Sequence, residues 1–72
     1  MTNSTRQQLC QVLAELSDLC PEMRMGQLIA NLATVAKGAT AEAIWDVEDE
    51  ELLAAARKQL LYFQERQQAS VA

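Results

Sequence analysis

Apolar residues return every three or four positions along most of this chain. At roughly 100° per residue, Leu9, Val12, Leu13, Leu16, Leu19 and Cys20 fall within an arc of about 120°, with Gln7, Gln11, Glu15 and Asp18 opposite. The spacing predicts an amphipathic helix over 6–19. Ser4 with Gln7, or Thr5 with Gln8, offers the hydroxyl-x-x-Gln spacing of a capping box at its start. A second stripe of Met25, Leu28, Ile29, Leu32, Val35 and Ala36 faces away from Arg24, Gln27, Asn31 and Thr34 and predicts a helix over 22–37. Pro21 biases Cys20 out of the helical region and suits a first helical turn, with Glu22 at the positive end of the dipole. Lys37 and Gly38 supply the opposite signals at the end.

The connection 39–45 reads as a loop in which Thr40 could cap a single turn through Ala43, leaving Ile44 and Trp45 to reach back onto the core. Asp46 is the expected cap of a third helix over 47–68, whose first turn carries Glu48, Asp49, Glu50 and Glu51. Its stripe is Leu52, Leu53, Ala56, Leu60 and Phe63, while Leu61 and Tyr62 fall roughly 140° and 120° from the stripe centre on opposite sides. The expected fold is therefore all-α: one three-helix domain over 1–72, a short helical hairpin plus a longer C-terminal helix, with 1–4 and 69–72 frayed.

Composition sharpens this picture. At 72 residues, a single core supplies only about 3–5 kcal/mol, so self-association is an expectation from size alone. Half the residues are apolar but only 4% aromatic, which leaves Leu, Ala, Val, Ile and Met to build the core. The net charge of −4 disfavours nucleic-acid and anionic-membrane partners. The start MTNSTRQQL carries no signal or lipidation pattern, and no apolar run approaches the ~18 residues of a membrane span, so a cytoplasmic location is expected. Cys10 and Cys20 lie ten residues apart in one expected helix, roughly 15 Å between Cα atoms, too far for a disulfide. They read as small hydrophobes.

Candidate chemistry is sparse. No histidine is present, which removes the commonest general base and metal ligand. Gly26 and Gly38 are too few and too far apart for a phosphate loop, and neither thiol has an activating base nearby in sequence. No catalytic residue, cofactor or metal site is expected. The acidic run 46–51 lacks EF-hand spacing; helix-start electrostatics accounts for it, with a patch for a basic partner or a weak divalent-cation site as alternatives. An acid-base enzyme built on Glu48–Glu51 would need an enclosed apolar pocket. A helix-turn-helix reader would place those carboxylates against phosphate.

Arg24, Gln27 and Asn31 sit at i, i+3 and i+7 and project together. They form solvated surface, a binding surface, or an internal network in which Gln27 and Asn31 bond the 39–47 backbone or Arg24 pairs with Glu48 or Asp49. Gly26 beside them is expected to permit close approach of a neighbour.

The stretch Arg24-Met25-Gly26-Gln27-Leu28-Ile29-Ala30-Asn31-Leu32, followed by Trp45-Asp46-Val47-Glu48-Asp49-Glu50-Glu51-Leu52-Leu53, resembles a family of short uncharacterised bacterial and phage-encoded helical proteins. Their pattern is Arg-x-Gly-Gln, apolar residues and Asn, then an aromatic and a Glu-Asp acidic run before Leu. The resemblance covers 9–63 and implies a small helical protein, with no activity to carry over. It marks Arg24, Gly26, Gln27 and Asn31 in its first motif and Trp45, Glu48 and Asp49 in its second. The connection Ala-Thr-Ala-Glu-Ala-Ile departs from the longer, Pro-containing one of the family.

The expected function is a non-enzymatic protein–protein interaction or small structural module that self-associates as a dimer, with Leu61 and Tyr62 as interface candidates. The alternative is a nucleic-acid-associated regulator using Arg24, Gln27, Asn31 and Lys37.

Overall fold

A computed structural model of the chain describes the backbone of residues 4–71 and the side chains of 4–67. The described residues form α1 (Thr5–Leu19), α2 (Met25–Lys37), the single turn α3 (Ala43–Asp46) and α4 (Asp49–Val71). The domain is all-α, with the three expected helices and one short one between them.

α1 begins where the capping pattern placed it. The Gln7 N–H donates to Ser4 Oγ at 3.1 Å, and the Ser4 N–H donates to Gln7 Oε1 at 3.0 Å, so two orphan donors are satisfied reciprocally. Ser4 is therefore the N-cap of α1; residues 1–3 lie outside those described.

α2 starts at Met25, three residues later than expected. Pro21 and Glu22 belong to a turn, closed by the Met23 N–H donating to the Cys20 carbonyl at 3.0 Å, and Met23 folds back to pack on the core. Burying Met23 outweighs continuing a helix from Pro21. Arg24 becomes the N-cap without a side-chain cap bond. Gly38 ends the helix at φ 107°, a left-handed conformation that glycine reaches without the Cβ clash other residues suffer.

The connection departs most from expectation. Its helical turn is α3, which points Ala43 inward at 3% exposure and leaves Ile44 and Trp45 outside; Trp45 is 81% exposed. Residues 43 and 44 sit about 100° apart on a turn, so burying Ala43 against α2 rotates its larger neighbours into solvent. Asp46 is inside α3 and caps nothing. α4 starts instead at Asp49, its first hydrogen bond running from the Leu52 N–H to the Glu48 carbonyl. It continues to Val71, past the expected end at 68.

Leu9, Val12 and Leu16 of α1, Leu28 and Leu32 of α2, and Leu53 and Ala56 of α4 form one core. Leu13, Met23, Leu52, Leu60 and Phe63 pack around it. On α2 the buried side is rotated from the expected stripe: Ala33 is buried whereas Met25 and Val35 are exposed, because α3 packs on α2 and draws Ala33 inward.

α4 is the central element, lying against both α1 and α2. Arg6 meets Asp49, and Glu15, Asp18 and Leu19 lie by Leu60 and Gln64, so α1 and α4 run in the same direction. Lys37 meets Glu51, so α2 runs against them. α1 thus ends opposite Gln64, and α4 continues about two turns further.

Candidate interaction surface on the fourth helix

The start of α4 is locked by charge. Glu51 Oε1 accepts the Glu48 N–H at 2.9 Å, and Oε2 pairs with Lys37 Nζ at 3.3 Å. The Glu48 backbone bond, and after it the Lys37 ammonium, hold the Glu51 carboxyl below its ordinary value near 4.5. Asp49 receives Nε and Nη2 of Arg6, both at 3.3 Å. Asp49, Glu50 and Glu51 occupy the first turn, where the amide dipoles favour negative charge. The Arg57 guanidinium donates to Gln8 Oε1 at 2.8 Å, a second tie between α1 and α4. The acidic run therefore has structural work on both flanks.

The residues marked by the sequence motifs do not converge. Arg24, Gln27 and Asn31 are exposed on α2. Asn31 does not reach the 39–47 backbone; its Nδ2 donates to the Met23 sulfur at 3.7 Å and steadies the Cys20–Arg24 turn. Arg24 does not pair with Glu48 or Asp49, because it stands at the start of α2 whereas the end of α2, at Lys37, is what meets the start of α4. Among the described residues, no hydrogen bond or ion pair joins the α2 group to Trp45, Glu48 or Asp49. Gly26 has no atom within 4 Å of where a Cβ would stand, so it is open surface and not a point of close approach. Both thiols are free; Cys20 is half-buried, but Cys10 is exposed and does not serve as a buried hydrophobe.

Leu61 and Tyr62 are where the sequence placed them, outside the core, at 57% and 48% exposure. Tyr62 has two neighbours on its own helix. Its ring makes an edge contact with Phe63 at 5.3 Å between centroids, Arg66 stacks 5.5 Å from its centroid, and Arg66 Nη1 donates to its hydroxyl at 3.1 Å. Helical spacing puts Ala54, Lys58, Leu61, Tyr62 and Glu65 on one outer face of α4. Lys58 and Glu65 flank Leu61 and Tyr62 by three residues on either side, a charge spacing without meaning inside a single helix. Beside this face a shallow groove of about 200 Å³ runs between α4 and α2, lined by Val35, Ala36, Glu51, Ala54, Ala55 and Lys58.

The molecule has surface to spare. Its radius of gyration is 12.6 Å against roughly 11 Å for a compact chain of this length. Its accessible area is 5294 Å², about 800 Å² above the expectation for an 8.0 kDa globule.

Comparison of the chain with protein families, with curated proteins and with solved structures finds no match. Among the described residues no helix is long and apolar enough to cross a membrane, and no three of Cys, Asp and Glu are grouped as a metal ion would require.

Proposed function

We propose that this protein is a non-enzymatic interaction module of the cytoplasm that self-associates, and that the outer face of α4 carrying Leu61 and Tyr62 is its contact surface. The observation that carries the reading is this exposed pair of large side chains on a helix with unclaimed length. The contacts of Tyr62 with Arg66 and Phe63 within the chain favour one side-chain geometry, which lowers the entropic cost of covering it. A shortfall of core in so small a chain gives association a thermodynamic role as well.

The alternative of a nucleic-acid-associated regulator draws on Arg24, Gln27, Asn31 and Lys37. Lys37 is engaged with Glu51, which leaves Arg24 as the cation of that face. A single phosphate contact against a net charge of −4 is weak support.

Replacing both Leu61 and Tyr62 by Glu tests the reading. The expected variant keeps its helical circular dichroism and loses the dimer in sedimentation. A variant that associates as strongly as the parent chain contradicts the assigned face.

A further inference from the structure

From the charge pattern around Leu61 and Tyr62 we infer how the second copy docks: α4 packs antiparallel against the partner's α4, with the two-fold axis between residues 61 and 62. The inference rests on the self-association proposed above and specifies its geometry. Lys58 lies three residues before Leu61, and Glu65 lies three residues after Tyr62, all on the outer face. An antiparallel pair centred between 61 and 62 sets Lys58 opposite the partner's Glu65 and Glu65 opposite the partner's Lys58. A parallel pair would set Lys58 against the partner's Lys58 and Glu65 against the partner's Glu65, both repulsive.

Within one chain the two groups are seven residues, roughly 10 Å, apart along the helix and do not pair. Both are exposed, and neither has an ion-pair partner among the described residues. A two-fold axis at this point brings like positions together, so Leu61 meets the partner's Leu61 along one edge and Tyr62 meets the partner's Tyr62 along the other. On the helical wheel Lys58 and Glu65 fall between Leu61 and Tyr62, so two identical ion pairs lie along the seam about one turn to either side of the axis, flanked by the apolar contacts.

Charge reversal provides the test, read by sedimentation equilibrium with circular dichroism as the control for folding. Lys58→Glu and Glu65→Lys alter exposed positions, so each should retain its helical signal. Each alone should raise the dimer dissociation constant at least ~10-fold, since two attractive contacts become repulsive. An equimolar mixture of the two variants should recover association, because each then meets its opposite charge. So should the double variant Lys58→Glu/Glu65→Lys. Dimers indifferent to every reversal would overturn the antiparallel register while leaving self-association intact. A parent chain that stays monomeric at tens of micromolar would overturn the self-association reading and this arrangement with it.

Discussion

Glu51 shows how one side chain can join two helices. Its carboxylate closes the first turn of α4 through the Glu48 N–H and reaches Lys37 at the end of α2. Both partners favour the charged form, so its pKa in the folded chain lies below the ordinary value near 4.5 that applies when unfolded. In acid the unfolded chain then binds more protons. The contribution of Glu51 is present above about pH 4.5 and is lost as pH falls through the folded value. Urea midpoints taken from pH 6 to 3 should drop more steeply for the parent chain than for Glu51→Gln; parallel profiles would show that the carboxylate has no preferential folded-state stabilisation. Gly26 gives the opposite lesson. The Arg-x-Gly-Gln motif invites a packing role, but the space beside it is open. Gly26→Ala should therefore raise stability by about 0.5 kcal/mol through a lower unfolded-state entropy, and a lower melting temperature would reveal a contact at that site.

At the scale of elements, the helices were legible in the sequence and their boundaries less so. The core residues Leu9, Val12 and Leu16 of α1 and Leu53 and Ala56 of α4 were on the expected stripes. The boundaries that moved were those set by competition between local signals and packing. Pro21 and Glu22 favour a helix start, yet Met23 gains more by folding onto the core than by entering α2. Asp46 is a good cap by type, but α3 absorbs it because Ala43 packs on α2. Ala33 and Ala55 were missed for one reason: alanine is ambivalent in any hydrophobicity pattern, and only a neighbouring helix decides whether it is covered. Leu16 carries the clearest energetic prediction at this scale. It is fully buried among all three long helices, and Leu16→Ala should cost about 2–5 kcal/mol. That rivals the whole stability expected of one small core, so the variant should show far-UV dichroism of a largely unfolded chain. A cooperative transition near the parent's midpoint would mean that the core relaxes to fill the gap.

At the scale of the molecule, α4 runs between α1 and α2 and past the end of α1, and this arrangement leaves the outer face of its second half uncovered. The candidate residues of the two sequence motifs proved to be dispersed: Arg24, Gln27 and Asn31 lie on α2, Trp45 projects from α3, and Glu48 and Asp49 serve the start of α4. What was legible was the misfit of Leu61 and Tyr62; what was not was their relation to Lys58 and Glu65, since a charge pair seven residues apart is meaningless within one helix and acquires sense only across two. Sedimentation equilibrium of the unaltered chain at tens of micromolar addresses the central claim most directly. The account predicts a mass approaching twice the 8.0 kDa of one chain; a mass that stays at one chain throughout that range would contradict it.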